Sequence, residues 1–484
     1  METSQAPLTD AEIARSASRG AVSSISRTGA VLVLQTASSL VVARILEPRS
    51  YGVFGLALTL VGSVRYLGDL GVTYRLAVLR RVDDEDLRRG LTIGLTTAMV
   101  GALLISSIWQ VLPLVQSGPP GSRYVAPVIA LTLVINSPAG PATAVLYRRL
   151  AFRTVATGSL LSSLGLFVVQ IPLLFAGLGI WALVVAYVAS TVINVSYLLI
   201  AAHGLPMPAL RGVSMSFIRL SLPYQAPLIA QAVVGLIVSV LVASLLGAKG
   251  VGLLSWSPIL ATPILSVVLT LEAIAAPSLA RMLRDDGNQY HQATQVVLLT
   301  LAALAATAAG AYIGLVPSIV RLIFGVRWLP AAGAVQMALA GVVPMSLVLG
   351  CASIVSSQDR PGARIKSSLA AGAAAGAFTV PLTLAAGVTG AATVAYVICP
   401  IVEVLVLAPH AHARLGHLAL RIARVALPLA ALSLALERGV ASPAYLAAAV
   451  LIAAVAGTGV LAIAERELVR SLWRQIRPRP SASR

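Results

Sequence analysis

The chain has 484 residues, 58% of them hydrophobic and only 11% charged, which is more apolar surface than a water-soluble core of this length can hide. Lipid must solvate most of it, and the apolar runs have the ~20-residue length of spanning helices, which excludes a barrel of ~10-residue strands. A formal charge of +18 accompanies this, but the arginines sit between apolar runs and gather on no soluble domain, so membrane topology explains the charge and nucleic acid does not.

Residues 1–27 are polar and carry Arg15, Arg19 and Arg27 without an apolar core close behind; they read as a cytoplasmic tail, not a signal peptide. Six spans follow, at 28–46, 53–70, 91–115, 124–147, 155–175 and 181–201, forming a first bundle over 28–202. A polar cytoplasmic linker occupies 203–222. Six further spans, at 224–246, 251–274, 293–315, 331–353, 367–386 and 389–408, form a second bundle over 223–408. Residues 409–464 add two more, at 418–436 and 444–464, before a basic cytoplasmic tail over 465–484. Arg421 and Arg424 shorten the thirteenth span unless they snorkel to the membrane surface. The expected fold is therefore an all-α polytopic membrane protein of about fourteen transmembrane helices.

Charge tests the count, because Arg and Lys hold alternate loops in the cytoplasm. Of the 35 such residues, 27 fall in the two tails and the even-numbered loops. Both termini are thus expected inside, in a bacterial inner membrane. A missed helix would invert every later loop and spoil the alternation.

The chain also repeats itself at an offset of 200 residues. Val42-Ala43-Arg44-Ile45-Leu46 reappears as Val242-Ala243-Ser244-Leu245-Leu246, and Tyr51-Gly52-Val53 as Val251-Gly252-Leu253. Each copy ends a helix, makes a short basic turn and resumes at a Gly. Two pseudo-symmetric six-helix bundles follow, and parallel repeats of this kind enclose a central cavity.

The run from Val42 to Phe54, with Glu47-Pro48-Arg49-Ser50-Tyr51-Gly52 at its turn and Gly68-Asp69-Leu70-Gly71 after it, resembles the opening of the polysaccharide flippases of the multidrug/oligosaccharidyl-lipid/polysaccharide exporter superfamily. Leu246-Gly247, Ala276-Pro277-Ser278-Leu279-Ala280-Arg281 and Phe324-Gly325-Val326-Arg327-Trp328-Leu329-Pro330-Ala331 are similar to later stretches of that family, and the resemblance covers roughly 26–408. It implies a flippase that moves an undecaprenyl-diphosphate-linked oligosaccharide across the inner membrane by alternating access. A lipid-linked oligosaccharide, the membrane itself, and polysaccharide polymerase or chain-length proteins are the implied partners; nucleic acid is not among them. The family often carries an acid in its seventh helix, where this chain has the uncharged Val238-Ser239-Val240. The alternatives are a multidrug or small-solute antiporter of the same superfamily, a lipid II flippase, a non-transporting scaffold, or a membrane polymerase. An enzyme is disfavoured, since the outward loops hold only Glu47 and Glu437 clear of helices.

Ionisable groups inside spans are costly, so the few present are the candidates. Arg65 and Asp69 lie four apart on one helix. They form either a structural pair or a diphosphate contact in which Asp69 positions the guanidinium of Arg65. Arg44, which matches the family's Arg, either snorkels or holds the outward rim of the cavity. Arg75 and Arg219 either meet an entering anionic head group or anchor cytoplasmic loops. Glu272 and Glu403 are candidate coupling groups if buried, and otherwise structural hydrogen-bonding partners. Polar residues such as Gln35, Asn136, Gln170, Asn194, Gln225 and Gln231 either line the cavity or bond helix to helix. His410, His412 and His417 lack the acidic or thiolate company a metal wants, and Cys351 and Cys399 sit in apolar runs, so no metal is expected. No cofactor is expected either. With no phosphate-binding Gly-x-x-x-x-Gly-Lys loop, direction must come from an ion gradient or from substrate supply and removal.

Overall fold

In the computed structural model the described residues are 29–69, 83–112, 115, 119–149, 151–204, 215–285, 287–358, 360–411, 413, 415–440 and 442–464, and among them the ordered elements are helical, with no strand. The main helices are α1 (Gly29–Ile45), α2 (Pro48–Asp69), α3 (Asp84–Val111), α4 (Ser122–Asn136), α5 (Ala139–Arg148), α6 (Phe152–Phe175) and α7 (Ile180–Ala201). They continue with α8 (Met215–Trp256), α9 (Ala261–Asp285), α10 (Gly287–Ile313), α11 (Ala332–Ser357), α12 (Pro361–Thr393), α13 (Cys399–Leu407), α14 (Leu415–Glu437) and α15 (Pro443–Ala464). Each of the fourteen expected spans falls on helix. Ten stretches among the described residues are apolar and long enough to cross a membrane.

Where the helices depart from the expected spans, backbone chemistry gives the reason. The fourth span is split into α4 and α5 at Ser137-Pro138, because Pro138 has no N–H to donate. Helix α8 has 42 residues, about 63 Å at helical rise and twice the thickness of the hydrocarbon core. It breaks at Gly247, whose φ of 65° suits a residue without Cβ. The eighth span continues through a 3-10 turn at Ser257–Ile259 into α9, which extends to Asp285, so Arg281 and Arg284 lie on helix and not in a loop. The 47-residue stretch Pro361–Leu407 breaks at Ala386 and Gly387 (φ 58°) and folds back, bringing the Cys399 thiol to 3.5 Å from the Ala371 carbonyl.

Two compact units emerge, one comprising residues 1–45 and 60–225, the other 46–59 and 226–484. In the first, α6 and α7 form a hairpin that packs closely at Gly165, where an added Cβ would run into Ile193, and the Ser162 hydroxyl donates to the Ser190 carbonyl at 3.0 Å. Trp109 Nε1 and Gln110 Nε2 on α3 donate to the Ser122 and Arg123 carbonyls at the start of α4, each at 2.9 Å. A buried hydrogen bond from Ser38 to Gln170 ties α1 to α6. Satisfying such polar groups between helices is obligatory in lipid. At the start of α3, Asp84, Glu85 and Asp86 suit the positive end of the helix, and Arg89 pairs with Glu85.

In the second unit, α10 and α11 carry a core that includes Leu298, Ala302, Val348, Cys351 and Val355. Helix α14 lies on α10, where the Ser433 hydroxyl donates to the Gly310 carbonyl at 3.0 Å and accepts from the Gly314 N–H at 3.1 Å. The same unit holds a crossing between the start of α2 and the end of α8. A Cβ on Gly52 would collide with the Ala248 carbonyl, and one on Gly252 with the Pro48 carbonyl. These contacts are reciprocal at the offset of 200 residues. One turn on, a Cβ on Gly55 would meet the Ser255 side chain, again 200 residues away. Beside the crossing Tyr51 stands edge-on to Trp328 (5.7 Å between ring centroids), and Trp256 packs on Trp328 (4.7 Å) and Phe324 (4.9 Å). The family-like motifs around Tyr51-Gly52, Leu246-Gly247 and Phe324 to Trp328 therefore converge here.

Candidate functional site: a charged cavity in the second unit

The structure separates the candidates. Arg44 is exposed at the end of α1, and Arg65 is exposed on α2. Asp69 is the last residue of α2, and Arg219 lies on α8. Arg75 is outside the described residues. Of the candidates, Glu272 and Glu403 act electrostatically on a common partner, Arg364.

That arrangement starts from a tight turn. Helix α11 ends at Ser357, and α12 begins at Pro361, whose ring suits the first helical position. The turn places Arg364, in the first turn of α12, back against the last turn of α11. Its Nη1 donates to Ser356 Oγ at 3.2 Å, and Ser356 in turn donates to the Ala352 carbonyl at 2.7 Å. Glu272 reaches the site from α9 and Glu403 from α13. Both carboxylates act electrostatically on Arg364, yet neither forms a direct ion pair with it. Glu403 is only 7% exposed, whereas Glu272 and Arg364 are half-buried.

A cavity of about 370 Å³ opens here, lined by Glu272, Leu349, Ala352, Ser353, Ser356, Ser357 and Arg364. Its wall is braced from α10: Gln358 Nε2 donates to the Tyr290 hydroxyl at 3.2 Å, and that hydroxyl lies 3.2 Å from Ser357 Oγ. Ser357 spends its own proton on the Ile354 carbonyl at 2.6 Å, so Tyr290 must be the donor in that pair. The lining brings together one carboxylate, one guanidinium and three serine hydroxyls; the buried Glu403 acts on Arg364 electrostatically and is not among the lining residues. The space is too small for an oligosaccharide.

Both glutamates were candidates from the sequence and Arg364 was not, because it falls in the even-numbered loop between the spans at 331–353 and 367–386. The available signal was position: Arg364 lies one turn inside an apolar helix, whereas Arg360 precedes it. No group of three or more His, Cys, Asp or Glu that could hold a metal occurs among the described residues.

Residues 41–333 match the family described as polysaccharide biosynthesis protein. The chain is 29% identical over 157 residues to the succinoglycan biosynthesis transport protein ExoT of Rhizobium meliloti (strain 1021); the match covers 32% of this chain and spans 31% of the length of that relative. Among solved structures, the lipid II flippase MurJ in an inward closed conformation is similar with a TM-score of 0.74 at 11% identity, covering 92% of this chain and 99% of MurJ. An inward-facing multidrug resistance MATE family transporter of the MOP superfamily gives 0.63 at 14% identity, over 82% of this chain and 99% of the transporter. At such identities these likenesses show a shared fold, that of the MOP superfamily transporters.

Proposed function

We propose that this chain, which belongs to the polysaccharide biosynthesis protein family, carries an undecaprenyl-diphosphate-linked oligosaccharide from the cytoplasmic to the outer leaflet of the bacterial inner membrane. The observation that carries this reading is the coincidence of that family match with a transporter fold over nine-tenths of the chain. The name of the relative ExoT, a succinoglycan transport protein, supports a sugar polymer as cargo over a drug. Alternating access would expose the sugar to one side and then the other while the lipid tail stays in the bilayer. In this reading Arg44, Arg65 with Asp69, Arg75 and Arg219 meet the diphosphate along its route, and both termini face the cytoplasm. Polymerase or chain-length proteins would take up the product outside.

Deleting the gene should leave lipid-linked oligosaccharide of unchanged chemistry trapped in the cytoplasmic leaflet. Purified protein in vesicles should expose labelled substrate to an outside probe. Cells that lack the linkage chemistry itself would point to an enzyme instead, and export of small cations by the same vesicles would point to an antiporter.

A further inference from the structure

The glycine crossing gathers charge as well as backbone. Gly52 meets Ala248 and Gly252, Gly252 meets Pro48, and Gly55 meets Ser255, so the start of α2 and the part of α8 beyond Gly247 run parallel with their N-terminal ends together. Arg49 follows Pro48 and Lys249 follows Ala248, one cation in each copy of the repeat, and both are exposed. Trp328, edge-on to Tyr51, brings its exposed neighbour Arg327 to the same end. All of these residues belong to the second unit. Their placement works against two general rules. The N-terminal end of a helix is the positive end of its dipole and favours acids, yet neither first turn holds one. A cation on an outward segment also opposes the bias that keeps Arg and Lys inside, and the distribution of basic residues puts this end outside. Nearby acids do not account for the cations. Glu437 is turned to Ser318, on the same connection as Arg327: the Ser318 hydroxyl donates to its Oε1 at 2.8 Å, and its Oε2 is buried without a partner among the described residues. Glu47 is exposed and forms no ion pair with the described residues, and neither do Lys249 and Arg327.

We propose that Arg49, Lys249 and Arg327 form a surface that binds the carboxylates of an acidic saccharide at the outward end of the second unit. The two arginines offer planar forks that take a carboxylate at two points, Lys249 adds a point charge, and the paired helix ends add their field. The level of the cations favours a saccharide over a lipid phosphate. Arg327 stands on the turn Val326–Ala331 between α10 and α11 and not on a spanning helix, and the sugar of a lipid-linked substrate is the part that reaches beyond the bilayer. Exposed charges also suit a chain that must be released, because their contacts are individually weak and screened by salt. Identifying the saccharide with the cargo rests on the transport reading; the affinity for a carboxylate-bearing sugar does not.

Binding can be measured without transport. Full-length protein in nanodiscs of zwitterionic lipid, which leave both faces open, is titrated with trigalacturonate and with the neutral maltotriose at low and at physiological salt. The wild type should bind trigalacturonate, more weakly as salt rises, and should not bind maltotriose. K249Q and R327Q should each weaken binding roughly two- to fivefold, and R49Q/K249Q/R327Q should abolish it. Lys249 and Arg327 have no partner among the described residues to lose, so their variants should stay inserted and monodisperse, which gel filtration checks. K366Q removes an exposed cation at the other end of the unit, near the start of α12, and should bind as the wild type does. Absence of trigalacturonate binding, wild-type affinity in the triple variant, or an equal loss in K366Q would overturn the proposal. Tighter binding of inorganic pyrophosphate with the same dependence on residues 49, 249 and 327 would make the surface a phosphate site and would also overturn it. Failure of lipid-linked sugar flipping would touch only the proposed function, because this binding is read without it.

Discussion

A cavity arginine and a structural arginine differ in what rescues them, and Arg65 can be sorted on that basis. Its side chain is exposed on α2, four residues before Asp69. If it grips a diphosphate, Arg65→Ala should abolish flipping while abundance is unchanged, and Arg65→Lys should keep part of it through charge without the planar two-point contact. Asp69→Asn should cost less. A structural pair behaves differently: either single change leaves an unpaired charge and lowers abundance, and exchanging the two residues restores both abundance and flipping. Full flipping by the exchanged double mutant in a vesicle assay would strike Arg65 from the substrate contacts. At this scale the sequence was informative about residue type and poor about company. Glu272 and Glu403 stand out because any acid in an apolar run does. Their link through Arg364 joins positions 272, 364 and 403, which no helical period relates, so only tertiary packing reveals it.

Helices were the most legible level, since length and apolarity are imposed by the bilayer. The departures arose where a single residue outweighs composition, as at Pro138, Gly247 and Gly387, because a missing N–H or a positive φ is a local demand that hydropathy does not register. The offset-200 repeat was also legible, though its purpose was not. Gly52 and Gly252 occupy matching places because each admits the other helix's backbone. Replacing either by Ala forces a Cβ into a carbonyl and should destabilise the protein by about 1–3 kcal/mol or more, the usual range for overpacking. Gly62, on the same helix, has open space where its Cβ would point and serves as the control. Melting curves of the solubilised protein should show Gly52→Ala and Gly252→Ala shifted down and Gly62→Ala unchanged or raised. A wild-type melting point for Gly52→Ala would mean that the crossing tolerates separation.

For the molecule as a whole, orientation rests on where the basic residues fall, and labelling can test it directly. Cysteines placed singly at Asp84 and Arg284 should react only from the cytoplasmic side, and those at Glu47, Lys249 and Glu437 only from outside. Strong outside labelling at 84 or 284 would overturn the count of spans. Substrate identity belongs to this scale too and was carried by resemblance and not by physics, because the shared fold occurs in a lipid II flippase and in a multidrug resistance transporter alike. The glycine crossing has a last consequence, for biosynthesis. Residues 46–59 leave the ribosome 200 residues before residues 248–256, the partner against which they pack. At about 5–20 residues per second that interval is roughly 10–40 s. For all of it the start of α2 must wait with a bare glycine face, available to insertion chaperones and to quality-control proteases until α8 arrives to cover it.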